Sequence, residues 1–327
     1  MSDRRERIAV VGAGRMGRGI ALAFAYGGYE VDLVDLRPRA ADAWQQLASE
    51  AGAEMDASLA TLAELGAMPT EMVPRVLGRI RLLPEPDAAG ALASSEVIFE
   101  AVTETLDAKR DAFARTCALA REHAILASTT STILVTDLVP LVTHPERLLN
   151  AHWLNPAYVI PLVEVSTHPG TSADVVARIR SLLEDIGKVP VVCGATPGYI
   201  VPRLQALIMN EAARMVEEGV ASAEEIDKAT RYGLGLRFAA LGVIEFIDYG
   251  GNDILYYASR YLAERVSRER YAPPAIVERL MHEGRIGLKS GEGFYDYRGR
   301  DVAAYRKDAL ARLLGMLRHA GLYRPPR

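Results

Sequence analysis

Residues 7–35 read RIAVVGAGRMGRGIALAFAYGGYEVDLVD. A short β-branched run, Arg7–Val11, leads into three glycines, Gly12, Gly14 and Gly17, at the spacing G-x-G-x-x-G. A helix pattern follows, then a second strand pattern, EVDLVD, which ends in Asp35, 23 positions after Gly12. The glycine spacing alone is common by chance. Strand, glycine turn, helix, strand and a closing acid in that order form a dinucleotide-binding fingerprint. Each part has a physical task. Gly12 permits the tight turn, Gly14 lets backbone approach a pyrophosphate, and Gly17 lets helix pack on strand. The helix N-terminus then offers N–H groups and positive potential to phosphate. Asp35 stands where an acid binds a ribose 2′-hydroxyl and repels a 2′-phosphate, so the expected cofactor is NAD rather than NADP. Arg37, two residues on, either softens that preference, covers the adenine or faces solvent.

Strand patterns recur beyond this unit. EVIFEAV (Glu96–Val102) and AILAS (Ala124–Ser128) are apolar runs of the kind buried in parallel sheets. A helically spaced stretch, LDAKRDAFARTCALAREH, separates them. Alternating strands and helices predict a Rossmann-like, doubly wound parallel sheet in an α/β domain. The stretch from Arg37 to Arg79 is Ala-rich and helical, longer than a simple crossover needs. A last strand is expected at Val189–Cys193, after which Pro197-Gly198 breaks the pattern. Beyond it the chain reads as helices, including YIVPRLQALIMNEAARMVEEG, a capping pattern at Ser222/Glu225, and segments at Asp253–Arg268, Pro274–Glu283 and Val302–His319. The expected organisation is a nucleotide-binding domain over residues 1–196 and an all-α substrate and dimerisation domain over residues 197–327.

Composition narrows the function classes. The chain has 327 residues, 50% of them hydrophobic, and a formal net charge of −4. That supports a sizeable globular core and disfavours nucleic acid as a partner, since phosphate binding needs concentrated Lys and Arg. No apolar run approaches the roughly 18 residues of a membrane span. The first residues, MSDRRERIAVVGAG, lack a signal-peptide pattern. The only cysteines, Cys117 and Cys193, form neither a disulfide framework nor a metal spacing. A cytoplasmic, metal-free protein is the expectation.

A second stretch carries the chemistry. Residues 152–166 read HWLNPAYVIPLVEVS, an apolar run that holds His152 near its start and Glu164 near its end. The other five histidines lie beside turn or charged residues and read as surface groups. His152 ends LLNAH, read as a strand of the nucleotide sheet, which Asn155-Pro156 then breaks. Ligands bind at strand carboxyl ends in open α/β sheets. Glu164 lies 12 positions on, in a second apolar strand, PLVEVS, and two neighbouring strand ends could bring the pair together. A carboxylate on one imidazole nitrogen fixes the tautomer and leaves the other nitrogen to take a proton. Oxidation of an alcohol needs such a base. A hydrogen-bonded structural pair fits the same residues.

With these motifs in view, the chain resembles the 3-hydroxyacyl-CoA dehydrogenase family, which includes 3-hydroxybutyryl-CoA dehydrogenases and the lambda-crystallin/L-gulonate dehydrogenase branch. The matching stretches are VVGAGRMGRGIA, FEAVTET, STTST, AHWLNPAYVIPLVEV, TPGYIVPRLQ and GRIGLKSGEGFYDY, spread over nearly the whole chain. The resemblance implies NAD as cofactor, a helical dimerising domain and oxidation of an L-3-hydroxyl to a 3-keto group. It implies His152 as general base, Glu164 as its orienting acid, and Ser131 as a hydrogen-bond partner of the substrate oxygen. Asn155 would lie near the nicotinamide. Glu104, Lys109 and Lys289 would line the NAD site, with Met16 and Val102 of the matched stretches and Ser131 also on the cofactor side.

The chain also departs from the family pattern. Thr129 stands where acyl-CoA members usually have asparagine, and Pro202 where a substrate-binding asparagine is usual. GLGLRFAALGVIE is closer to the lambda-crystallin branch. Between Ala40 and Val73 there are six acids and no Lys or Arg, in a segment that helps hold CoA in acyl-CoA members. Acids there oppose CoA phosphates if they face the ligand, and are neutral to them if they face solvent. Arg203 and Arg237 are candidate anchors for a free carboxylate. The expected substrate is therefore a 3-hydroxyacyl-CoA, or a free 3-hydroxy acid such as an L-gulonate- or carnitine-like compound. A catalytically idle binding or structural protein on the same fold is the rival. The expected assembly is a homodimer.

Overall fold

A computed structural model of the chain describes residues 6–326. These divide by packing into two units, residues 1–208 and 209–327, with the division inside one helix, Val201–Glu217.

The first unit is built on eight strands: β1 (Ile8–Val11), β2 (Val31–Val34), β3 (Ile80–Leu83), β4 (Val97–Glu100), β5 (Ile125–Ser128), β6 (Leu148–Trp153), β7 (Leu162–Thr167) and β8 (Val189–Gly194). They form one sheet in the order β3-β2-β1-β4-β5-β6-β7-β8. The helices between them are α1 (Arg15–Tyr26), α2 (Ala41–Glu64), α3 (Val73–Leu77), α4 (Ala88–Ser94), α5 (Leu106–Leu119), α6 (Val135–Leu138) and α7 (Ala173–Asp185). Strands β1, β2, β4 and β5 are buried along their whole length, as expected where helices cover both faces. The winding reverses between β1 and β4, which makes a crevice at their carboxyl ends. The expected doubly wound sheet is present, with two differences. β3 closes the long helical stretch after Asp35 and pairs with β2. β6 and β7 pair antiparallel, so β7 and β8 run against the other six strands.

That antiparallel pair has two unlike faces, because side chains alternate along a strand. Leu149, Ala151, Trp153, Val163 and Val165 enter the main apolar core. Trp153 packs there against Phe24 and Phe99, with ring centroids 6.0 and 5.9 Å away. Burying such a ring contributes about 1.5–3 kcal/mol or more, which fixes the strand bearing His152. Asn150, His152, Glu164 and Ser166 take the other face, all buried. The chain between the two strands is held by Lys188, whose Nζ donates to the carbonyls of Ala157 and Ile160 at 2.7 and 2.9 Å. Burial pushes the Lys188 ammonium below its usual pKa, and these carbonyls are what it has in exchange.

After β8, Gly198 and Tyr199 take positive φ, +78° and +44°, and turn the chain into α8 (Val201–Glu217). The second unit is helical: α9 (Ala223–Ala229), a π-helical turn at Thr230–Gly235, α10 (Leu236–Ala240), α11 (Val243–Gly250), α12 (Asn252–Arg265), α13 (Arg268–Tyr271), α14 (Ala275–His282) and α15 (Val302–His319). Its buried anchor is Asp248, whose carboxylate accepts from the N–H groups of Phe294 and Tyr295 at 3.0 and 2.8 Å. No described helix is long and apolar enough to cross a membrane.

Candidate active site

The glycine turn does what its spacing predicts. Gly12 has φ +112°, and a Cβ on it would lie 2.5 Å from the Ala101 carbonyl oxygen at the end of β4. A Cβ on Gly17 would lie 1.9 Å from the Gly12 carbonyl oxygen, so only glycine lets α1 start there. At Gly14 a Cβ would meet nothing within 4 Å, because this residue borders open space at the start of α1. No side chain caps that helix end, so its first N–H groups remain for a ligand. A cavity of about 310 Å³ opens there, lined by Gly12, Gly14, Asp35, Arg37 and Val102 among others. These residues fit a dinucleotide: bare backbone and a free helix end for the pyrophosphate, and an acid for the ribose. Met16, by contrast, packs against the apolar core, and Gly17 is buried beneath the turn.

Asp35 does not stand alone. Its Oδ1 accepts from the Arg37 backbone N–H at 3.2 Å, and its Oδ2 is ion-paired with Arg39, four residues on. Arg37 sends its guanidinium to Thr103 Oγ1, 3.1 Å away. Arg39, which lines the cavity, had no place in the sequence reading; the i,i+4 spacing to Asp35 is its signal.

At the next strand ends, a buried carboxylate and lysine support a loop. Glu100, the last residue of β4, accepts from Lys109 Nζ at 2.9 Å, and both are almost fully buried. Lys109 also lies 3.4 Å from Glu104. Glu104 Oε1 in turn accepts from the N–H groups of Ser131 and Thr132 at 2.9 Å each and from the Thr130 hydroxyl. Burial alone would raise the Glu104 pKa. The Thr130 hydrogen bond, the Lys109 charge and the Thr132 contacts outweigh it and hold the carboxyl down at about 2. Ser131 is exposed on the loop that Glu104 organises.

The histidine–glutamate pair forms. His152 and Glu164 are direct cross-strand partners of β6 and β7, and His152 Nδ1 lies 2.8 Å from Glu164 Oε2. Glu164 Oε1 accepts from the N–H groups of Ile200 and Val201 at 2.9 and 2.8 Å. The fully buried carboxylate therefore satisfies both the imidazole and the start of α8. Because a carboxylate only accepts, Nδ1 carries the proton, and Nε2 is the basic nitrogen. Pro202 follows directly, in the first turn of α8, where a missing N–H costs nothing. Tyr199, unremarked in the sequence reading, stacks on His152 at 4.8 Å and 11°.

The remaining expected residues have their own contacts. Asn155 is exposed beyond β6 and lines a second cavity of about 300 Å³, with Arg15, Arg18, Glu54 and Tyr158. Arg18 borders both cavities and is ion-paired with Glu54. All six acids between Ala40 and Val73 are exposed. Arg203 is exposed on α8. Arg237 donates to the Gly233 carbonyl and lies over the Phe246 ring, and Lys289 is paired with Asp253 at 3.0 Å. Arg237 and Lys289 belong to the second unit.

Comparison with known proteins gives the family. Residues 7–196 match the family described as 3-hydroxyacyl-CoA dehydrogenase, NAD binding domain, and residues 198–297 match 3-hydroxyacyl-CoA dehydrogenase, C-terminal domain. The chain belongs to the 3-hydroxyacyl-CoA dehydrogenase family; it binds NAD and is an NAD-dependent dehydrogenase acting on CH–OH groups. It is 30% identical to the 5-formyl-3-hydroxy-2-methylpyridine 4-carboxylate 5-dehydrogenase of Mesorhizobium japonicum, over 95% of this chain and 97% of that one. It is 32% identical to a probable 3-hydroxybutyryl-CoA dehydrogenase of Bacillus subtilis, over 89% and 97%. Among solved structures, a 3-hydroxyacyl-CoA dehydrogenase of Archaeoglobus fulgidus superposes with a TM-score of 0.75 at 32% identity, covering 98% of this chain and all of the other.

Proposed function

We propose that this protein oxidises the L-3-hydroxyl of a 3-hydroxyacyl-CoA, of the 3-hydroxybutyryl-CoA type, to a 3-keto group. The observation that carries the reading is the His152–Glu164 bond at 2.8 Å, on a carboxylate already held by two backbone N–H groups. This assigns the tautomer in which Nε2 takes the substrate's hydroxyl proton. Bound NAD supplies the hydride acceptor. Ser131 holds the substrate oxygen, and Asn155 borders the reacting end of the cleft. Glu104 and Lys109 support the cofactor site through the loop and strand end they organise. The nucleotide-binding half is taken as residues 1–196 and the helical half as residues 197–327.

A second reading keeps the chemistry and changes the substrate to a free 3-hydroxy acid, anchored by Arg203 or Arg237. Pro202, which offers no side-chain donor, favours it, and the Mesorhizobium relative is named for a carboxylate substrate. Of the α2 acids, Glu54 lines the second cavity and is neutralised by Arg18, and the others are exposed, so they do not argue either way. A homodimer through the helical half is part of the proposal. Leu207 and Met209 on α8 and Ile254, Tyr257 and Tyr261 on α12 are all 60% exposed or more. Such apolar surface asks for a cover. The protein is placed in the cytoplasm on its cysteine usage.

The test measures kcat/KM with NAD for 3-hydroxybutyryl-CoA against 3-hydroxybutyrate, L-gulonate and carnitine in one buffer and salt. A preference for the thioester supports the first reading, and one for a free acid the second. No NADH from any of them, or full activity in His152→Ala, would leave a binding protein.

A further inference from the structure

Ser131 lies on the loop after β5 and His152 on the neighbouring strand β6, so a shared substrate needs their spacing held. Tyr199 touches both His152 and the loop that carries Ser131, and Asn150 ties Tyr199 to the far end of that loop. The Tyr199 hydroxyl donates to the Thr130 carbonyl at 2.8 Å and accepts from Asn150 Nδ2 at 3.0 Å. Asn150 Nδ2 also donates to the Ile133 carbonyl at 3.0 Å. The loop Thr130–Ile133 is thereby gripped at both ends from outside, while Glu104 holds it from within. The same Tyr199 ring lies flat on the His152 imidazole, 4.8 Å away. Asn150 and His152 are two residues apart on β6 and share a face.

We propose that Tyr199 and Asn150 are positioning residues that lock the general base and the Ser131 loop into one rigid unit. This rests on His152 as base. The ring of Tyr199 fixes the plane of the imidazole, whose in-plane rotation Glu164 already limits. The hydroxyl and the Asn150 amide set the height of the Ser131 loop over that plane. Three features argue against simple core filling. Tyr199 is a non-glycine residue at φ +44°, a conformation that persists only where its surroundings demand it. Its backbone leads directly into the two N–H groups that hold Glu164. Burial first, and the nearby acids after it, push the phenol pKa up, so the hydroxyl stays a donor to Thr130.

The two halves of Tyr199 can be separated. Tyr199→Phe keeps the stacked ring and removes the hydroxyl. Of its two hydrogen bonds, the one to Thr130 holds the loop; its loss converts to a fall in kcat/KM of roughly 3- to 10-fold, with KM for NAD unchanged, while Asn150 keeps its bond to Ile133. That loss should vanish on a Ser131→Ala background, because both act on the same contact. Asn150→Leu should show the same coupling to Ser131→Ala. Tyr199→Leu removes ring and hydroxyl and should lower kcat about tenfold further. On a His152→Ala background that further loss should vanish, leaving only the loss seen in Tyr199→Phe. Wild-type kinetics in Tyr199→Phe, or losses that simply add to that of Ser131→Ala, would overturn the proposal. Tyr199→Phe preserves the core shape, so it decides the matter even if Tyr199→Leu does not fold. Near-wild-type activity in His152→Ala would instead remove the base on which the proposal depends.

Discussion

Replacing Glu164 separates its two tasks. Its Oε2 takes the His152 proton and its Oε1 takes two backbone N–H groups at 2.9 and 2.8 Å. In Glu164→Gln the amide oxygen still accepts from Ile200 and Val201, but an NH₂ group faces His152. That donor forces Nδ1 to accept, moves the ring proton to Nε2 and blocks the base. A wrong-tautomer imidazole costs roughly 10²–10⁴ in kcat, by analogy with the aspartate of serine-protease triads. Stability should change little. Glu164→Ala loses the same activity but leaves three donors without a partner, the buried His152 Nδ1–H and the part-buried N–H groups of Ile200 and Val201. At about 1–3 kcal/mol each, the loss is about 3–5 kcal/mol after partial relaxation, or roughly 10 °C in Tm. Initial rates of NADH formation and calorimetry read the two effects. Both variants should be no worse than His152→Ala in kcat, and neither should worsen it in combination. Glu164→Gln with near-wild-type kcat, or Glu164→Ala with an unchanged Tm, would refute the reasoning.

Three other outcomes are expected. Gly17→Ala puts a methyl 1.9 Å from the Gly12 carbonyl, so NAD affinity should fall at least tenfold in a fluorescence titration, together with Tm. Wild-type protein should favour NAD over NADP in kcat/KM. Arg39→Ala, by freeing the Asp35 carboxylate, should widen that ratio several-fold; an unchanged ratio would show that Arg39 does not shield the acid. Glu104 titrates at about 2 when folded and near its ordinary value, 4.5, when unfolded. A depressed carboxylate pKa stabilises above the unfolded value and is lost as pH falls through the folded one. The Tm difference between wild type and Glu104→Gln should therefore be flat above about pH 5 and shrink between about 4.5 and 2.

Part of this protein was determined by local sequence. The run from Arg7 to Asp35 specified strand, glycine turn, helix, strand and closing acid, because each depends on backbone sterics or on spacing within about thirty residues. The apolar strands at β4 and β5, and the helices ending at Gly219 and His319, followed from periodicity in the same way. His152 and Glu164 were found as residues out of place in an apolar run.

What joined them was decided only by the tertiary structure. An apolar strand does not declare the direction of its partner, so the antiparallel β6–β7 pairing, which sets His152 directly opposite Glu164, was hidden. The edge strand β3 was hidden within a stretch dominated by helix, since four residues carry too little period to be read. Tyr199 and Asn150 looked like one aromatic and one polar residue among many. Their roles depend on closure of the sheet, which brings residues 49 positions apart within 3.0 Å. Arg39 drew no notice in the sequence, because only the backbone after Asp35 decides which guanidinium reaches its carboxylate. The chemistry was written in residue types; the distances between them come from long-range pairing, which no local window contains.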